Sequence, residues 1–578
     1  MKKYKWIEGE IHFSSFCLHA AQIFLFTMAA ELLLTALLFV LGVSMQWFYL
    51  PLSFVIGVLC SALFWAEEKT SLRQAVYEIL FCIILFAFFS FVSGLFVDVS
   101  WDGNAYHKLA VGLLKDGWNP LKQLSSDYSP EGAFSGQNSL WVEAYCKATW
   151  IFGTSVYLLT GNIESAKAYT LIGMLCAFLI TVYYLKKKGR GTVFCTIFSH
   201  AAAFSPVAVQ QFDSFYVDGF LHSMLYILVI ALLMGCEEDV FDIRISAGLI
   251  AAAMIICGNI KFTGLLYGGI FCIAFFVMKS IFAAVEHPQS WFAVRAKRGA
   301  AFFLLAVVTI LWAGNSSYLT NLLRHGTPCY PLTGKNPADI MTINSPFLEA
   351  NHFKNLFYSL FSRAENFSLL EALENDHAPT LKIPFSVDWS IERIYCQIPD
   401  TRISGFGVFF SGILIICLGI IVYRLIRMKK DERFFRLLTL LIVCFGLTFF
   451  VKESWWARYS PYIYFIVLAA LYLALESEKK PLKWLGAALA VLLLVNNLLP
   501  VCRMPERWRY SQQVYQGISG FSGKSVYVYS SYFPGTYYNL KDKDVYYFVE
   551  PSLQQDPECS SLYWDVRWKS AELIPADQ

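Results

Sequence analysis

The sequence predicts an all-α polytopic membrane protein that closes with a small soluble α/β appendage. Three observations carry that reading. The 578 residues are 57% hydrophobic and only 15% charged, where soluble domains carry about 25% charged residues. Apolar stretches of about 20 residues, enough for a helix to cross a bilayer, recur through the first 501 positions. Basic clusters recur between those stretches, and all of them can be assigned to one side of a membrane.

The stretches fall at 21–43, 47–66, 76–97, 166–185, 191–209, 216–235, 245–259, 262–283, 299–318, 405–426, 435–451, 459–476 and 483–501, about thirteen in all. The first lacks a clear small-residue cleavage site and is followed by many others, so it reads as a retained span. The segment around 138–160 contains Glu143 and Lys147. Counting it as a span breaks the charge alternation downstream, so it reads as interfacial or re-entrant. With that choice Lys186 to Arg190, then Arg295, Lys297 and Arg298, then Arg424, Arg427, Lys429 and Lys430, and finally Lys479, Lys480 and Lys483 share the cytoplasmic side with the N-terminus.

The other connections face outward: 98–165, 210–215, 259–261, 319–404, 452–459 and the tail from 502. This divides the chain into a membrane domain, 1–501, with 98–165 and 319–404 as its large outer loops, and a soluble domain, 502–578. In the tail, Ser525–Ser530 and Asp544–Val549 read as strands. A multi-pass place in a plasma (inner) membrane of bacterial type is expected, with the chemistry facing outside or into the periplasm.

A net charge of +3 gives no case for a nucleic-acid partner. Most of the 15 cysteines lie in apolar stretches, where cysteine behaves as a small hydrophobe. Cys329, Cys396, Cys502 and Cys559 lie in polar segments where pairing after export is open. Neither a CxxC pair nor a Cys/His metal spacing occurs. The P-loop, HExxH and GxSxG patterns are also missing, and no internal repeat suggests an inverted-repeat transporter.

Nearly every unusual polar cluster falls on the outward side. From Asn104 to Lys115 the residues Tyr106, Leu109, Leu113 and Leu114 form an apolar stripe at helical spacing, with Lys108 and Lys115 off it. That suits a helix lying in the membrane interface. Asp102 at its start reads either as an N-cap or as a general base for an acceptor hydroxyl. His107 and Tyr106 stand beside it.

Asp213 and Asp218 precede a span, and Asp218 shares a helix face with His222. They read as a capping polar pair, or as further acids that orient an acceptor or help a divalent metal. No cofactor is otherwise implied. Lys261, within Gly258-Asn-Ile-Lys-Phe-Thr-Gly264, reads as a snorkelling lysine or a cation for a lipid phosphate. In Lys452-Glu-Ser-Trp455-Trp456-Ala-Arg458-Tyr459, an aromatic belt is one reading. The other uses the planar fork of Arg458 on phosphate. His325, in Arg324-His-Gly-Thr-Pro-Cys-Tyr330-Pro, reads as a surface histidine or an acceptor-side candidate.

Several of these runs together resemble a known family. Asp102-Gly-Asn-Ala-Tyr106 continuing to Gly117-Trp-Asn-Pro120 resembles the first outer loop of GT-C glycosyltransferases, particularly the family 39 type that includes protein O-mannosyltransferases and aminoarabinose transferases. Lys261-Phe-Thr-Gly and Ala457-Arg458-Tyr459 with Pro461 resemble later motifs of such enzymes. Gly103 stands where many members carry a second acid, which keeps Asp98 as a substitute for Asp102. The resemblance implies a GT-C-like helical bundle with interfacial helices in its outer loops. It implies an inverting transfer of sugar from a polyprenyl-phosphate donor lipid in the bilayer to an exported glycan, lipid or protein. Asp102 or Asp98 would be the base, with Lys261 and Arg458 on the donor phosphate. Two alternatives are an O-antigen-type polymerase or ligase, and a lipid-linked sugar transporter or flippase.

Overall fold

The computed structural model describes residues 12–128, 136–286, 291–335, 337–338, 344–347, 351–374, 377–557, 559–561 and 566–570. The chain is mostly helical, with a small sheet near its C-terminal end. Among the described residues, ten helices are long and apolar enough to cross a membrane, and three shorter apolar helices accompany them, Tyr49–Ala62, Thr192–Ala203 and Pro461–Leu475. Each apolar stretch read from the sequence overlaps one of these helices, but ten rather than thirteen are long enough to count as candidate spans. The three short ones arise where a stretch bends or unwinds before a full span is complete.

Local sequence sets where the helices begin. Ser71 accepts from Gln74 N–H at 3.2 Å ahead of Leu72–Gly94, Asp242 from Arg244 N–H at 2.7 Å ahead of Ile243–Ile260, and Asp431 from Phe434 N–H at 3.0 Å ahead of Glu432–Phe450. These acceptors satisfy donors that a helix start leaves open. Phe13–Val40 is buried along most of its length and contacts Tyr49–Ala62, Leu72–Gly94, Tyr169–Lys187 and Ile243–Ile260. It therefore sits inside the bundle.

At Lys261 the backbone is extended (φ −159°, ψ 150°), which separates Ile243–Ile260 from Phe262–Glu286. A Cβ on Gly264 would lie 2.2 Å from the Cys257 carbonyl oxygen. The corner thus closes tightly only because residue 264 has no side chain.

Beyond Leu498 the last apolar helix continues through a 3-10 turn, Leu499–Arg503, into a polar helix, Met504–Ser519. This neck leads to the sheet. Strand β1 (Ser525–Tyr529) pairs in parallel with β2 (Tyr546–Val549), Ser525 opposite Tyr546. It pairs antiparallel with β4 (Arg567–Ser570), and β3 (Ser560–Ser561) closes the order β2-β1-β4-β3. The two strands read from the sequence are β1 and β2. Val526, Val528, Ile518 and Leu540 form the core of this unit, and Val97, just after the helix Leu72–Gly94, belongs to the same cluster.

That shared core changes the reading of the helix after Asp102. The stripe predicts one buried face and one face at the membrane surface. Instead, every residue from Lys108 to Leu114 is buried. The helix Ala148–Thr160 covers one side, and residues 534–541 of the C-terminal unit cover the other. Lys108, expected off the stripe, is fully enclosed, and its ammonium donates to Glu164 at 2.7 Å, Asn104 at 2.9 Å and Asn539 at 3.0 Å. A buried cation is tolerable when it is paired and hydrogen-bonded in this way.

A Cβ on Gly112 would fall 2.2 Å from the Tyr538 ring. Gly112→Ala is expected to cost about 1–3 kcal/mol by overpacking, read as a lower melting temperature and faster proteolysis of the C-terminal unit.

A second prediction concerns pH. Tyr157 Oη donates to Asp542 at 2.5 Å, and Ile163 N–H donates to the other carboxylate oxygen at 2.6 Å. Burial pushes the Asp542 carboxyl up to about 6, against the lowering pull of those two donors. The folded protein therefore holds a proton that the unfolded chain, near the usual 3.8, has already released. This contribution is present in full below about pH 4 and is lost as pH rises through 6. Asp542→Asn should flatten the fall in melting temperature between pH 4 and 6; a wild-type slope in that variant would refute the assignment.

Candidate active site

One cavity of about 950 Å³ opens where segments 98–165 and 319–404 meet the ends of the apolar helices. Its wall brings together Asp102, Tyr106 and His107 from segment 98–165, Asp218 from a helix start, Lys261 from the helix break, and Arg458 from a short 3-10 turn. These come from four separated parts of the chain.

Asp102 does not cap a helix. Its backbone is already helical (φ −59°, ψ −35°) and its side chain makes no capping bond. Asp98 does the local work instead. Its carboxylate accepts from Ser100 N–H at 2.8 Å, from Ser100 Oγ at 2.9 Å and from Phe215 N–H at 3.1 Å. It lies under Gly103, where a Cβ would meet it at 1.9 Å. The glycine in place of a second acid is thus what lets Asp98 close beneath the turn. With Asp98 occupied, Asp102 is left to face the cavity.

The charges in the cavity form one chain. Lys261 donates to Asp218 Oδ1 at 2.7 Å and lies 3.8 Å from the centre of the Tyr459 ring. Arg458 Nη1 stands 3.2 Å from Asp102 Oδ2 and 3.4 Å from Asp400 Oδ2, and its Nε is 4.0 Å from Asp218. Lys261 is therefore an internal ion-pair partner rather than a snorkelling lysine. Around Arg458, the rings of Trp456, Tyr216 and Tyr459 lie 4.3 to 5.0 Å from the guanidinium carbon. Such faces attract a cation and hold the fork in place.

Asp400 was not apparent from the sequence. It lies in the long segment 319–404, accepts from Trp456 Nε1 at 2.8 Å, and lines the cavity. Burial raises its carboxyl above the usual range although Arg458 pulls the other way. Trp455 and Trp456, expected in a membrane belt, are buried; the Trp456 N–H serves Asp400. Of the three carboxylates, Asp102 has the most accessible side chain, at 23% against 13% for Asp400 and 3% for Asp218.

His107 is buried and accepts from Trp150 Nε1 at 2.8 Å. The indole can only donate, so His107 Nδ1 carries no proton. Burial lowers the imidazole to about 3, so the ring is neutral. Tyr106 lies against His107, Trp141 and Tyr145. At the mouth, Trp101 and Tyr532 are half exposed, their ring centres 5.6 Å apart.

The other named candidates lie elsewhere. His222 is buried one turn below Asp218, whose carboxylate turns to Lys261 instead. Asp213 is buried between Arg503 at 2.6 Å and Arg507 at 3.2 Å. Burial works to raise its carboxyl, but the two guanidinium groups outweigh that and hold it below the usual range. It ties the bundle to the neck. His325 is exposed, stacks on Tyr330 at 3.8 Å and does not line the cavity. Among the described residues, no group of three or more His, Cys, Asp or Glu side chains is arranged to hold a metal ion.

The chain was compared with family models, with curated proteins and with solved structures, and none of the three comparisons finds a match.

Proposed function

We propose that the protein is a membrane glycosyltransferase of GT-C type, moving a sugar from a polyprenyl-phosphate donor to a hydroxyl of an exported acceptor. The observation that carries this reading is Arg458, held between Asp102 and Asp400 beside the Lys261–Asp218 pair. A base and two preorganised cations thus share one cavity at the ends of apolar helices.

In the proposed reaction Asp102 takes the proton of the acceptor hydroxyl. The freed oxygen forms a bond to the anomeric carbon of the sugar as the bond from that carbon to the phosphate oxygen breaks, with inversion. Negative charge builds on the departing lipid phosphate. Lys261 and Arg458 are already in place to stabilise it, which is where fixed cations in a dry site act most strongly. Entry of the phosphate replaces the Asp102–Arg458 contact and turns the carboxylate toward the acceptor. Asp400 and Asp218 keep the two cations from drifting while the site is empty.

The test is mass spectrometry of the cell's surface glycans, wild type against a deletion strain. A defined polyprenyl-monophosphate sugar and its diphosphate counterpart are then supplied to the purified protein. Loss of one sugar mass from one polymer, with consumption of the monophosphate donor, is the expected result. Unchanged glycans in the deletion strain together with no donor consumption would sink the proposal. Consumption of the diphosphate donor alone would replace it with a polymerase or ligase.

A further inference from the structure

We infer that Cys396 and Cys502 are joined by a disulfide in the mature protein, stapling the long outer loop to the neck of the C-terminal unit. Cys396 lies in the short helix Ile394–Gln397, four residues before Asp400, and Cys502 lies in the 3-10 turn Leu499–Arg503. These two elements pack against each other. Among the groups around Cys396, Cys502 is the one that acts most strongly on its thiol.

The surroundings hold both segments in this register. Arg503, next to Cys502, donates to the Ile398 carbonyl at 2.9 Å, and its other arm reaches Gln210 O at 2.5 Å and Asp213 at 2.6 Å. Gln210 in turn donates to the Tyr395 carbonyl, next to Cys396, at 3.2 Å. Cys396 also shares a small apolar cluster with Tyr395, Val408 and Leu499. The two segments that carry these cysteines are therefore held together by contacts on both flanks. By contrast, Cys559 turns its thiol to the Leu553 carbonyl at 3.5 Å, within the C-terminal unit.

The chemistry follows from exposure. Cys502 is exposed and Cys396 is buried. The Cys502 thiolate attacks an external disulfide, either a small molecule or a protein oxidant, and one sulfur of that oxidant leaves as a thiol. Cys396, whose thiol is pushed up to about 12 by burial and by its neighbour Cys502, loses its proton as it attacks the mixed disulfide and expels the second sulfur. Two protein thiols lose two protons and two electrons, and the oxidant becomes a dithiol or a pair of thiols. Such oxidants act outside the cytoplasm. The inference therefore rests on the outward orientation of this face, and not on sugar transfer. The bond would close a long loop, the kind of cross-link that restricts the unfolded chain most. It would also fix the position of Asp400 relative to the neck.

The test uses the full-length protein. Cells are quenched in acid, and the protein is denatured and alkylated with one maleimide. It is then reduced, alkylated with a heavier maleimide and digested. Both cysteines are expected to carry the second label, and an unreduced digest should hold a linked peptide spanning both positions. A first label on both would overturn the inference. Purified reduced protein exposed to oxidised glutathione should regain the linked peptide, and failure to do so would overturn the pairing itself. C396S/C502S should melt several degrees below wild type, and a reductant should bring wild type to the same point. An intact staple in a protein that consumes no sugar donor would sink the transfer reading and leave the staple standing.

Discussion

Asp102→Asn is expected to lower transfer by about 10²- to 10⁴-fold at saturating donor, the range associated with loss of a positioned general base. The substitution keeps the shape of the side chain and leaves an oxygen facing Arg458 Nη1, now 3.2 Å from the carboxylate. Expression and melting temperature should therefore be close to wild type. Asp98→Asn should behave in the opposite way. That carboxylate accepts three hydrogen bonds beneath a closely packed turn, and an amide cannot accept all three with the same strength. Folded yield should fall, while the protein that does fold turns over normally. The comparison is read as initial rate per folded molecule. Wild-type turnover by Asp102→Asn would remove the carboxylate from the role of base.

Asp213→Ala should have the largest effect on stability. Two arginines, Arg503 and Arg507, share this one buried carboxylate. Removing one partner of a buried ion pair costs about 3–5 kcal/mol, because the charge left behind has no water to replace it. The loss should appear first in the neck: faster amide exchange across Met504–Ser519, then cleavage between the bundle and the sheet. Asp213→Asn should recover part of the loss, because one hydrogen-bond acceptor remains. Equal melting temperatures for wild type and Asp213→Ala would show that the arginines find other partners, and the neck would not depend on this residue.

The apolar helices were legible because each needs only its own residues to declare itself. The same holds for β1 and β2. Pairing across the chain was not legible. Arg458 and Asp102 are 356 positions apart, and nothing in either neighbourhood names the other. Asp400 sits between Pro399 and Thr401 with no periodicity around it, so only the Trp456 N–H and the Arg458 guanidinium that meet it reveal its use. Lys108 misled for a related reason. On an isolated helix a lysine off the apolar stripe faces water, but Glu164 and Asn539, supplied from elsewhere, enclose this one. The glycines were harder still. Gly103 reads locally as a missing acid, and only the position of Asp98 shows it to be the space that carboxylate occupies.

The enclosure of Lys108 by Asn539, 431 positions later, bears on how the protein is made. Segment 98–165 leaves the ribosome long before the residues that cover it. Until the C-terminal unit has folded, the helix carrying Tyr106 and His107 into the cavity lacks one of its walls, and Lys108 lacks a partner. During synthesis the cavity is therefore completed last. A chain interrupted within the sheet would hold all of its apolar helices and still have an unfinished first loop.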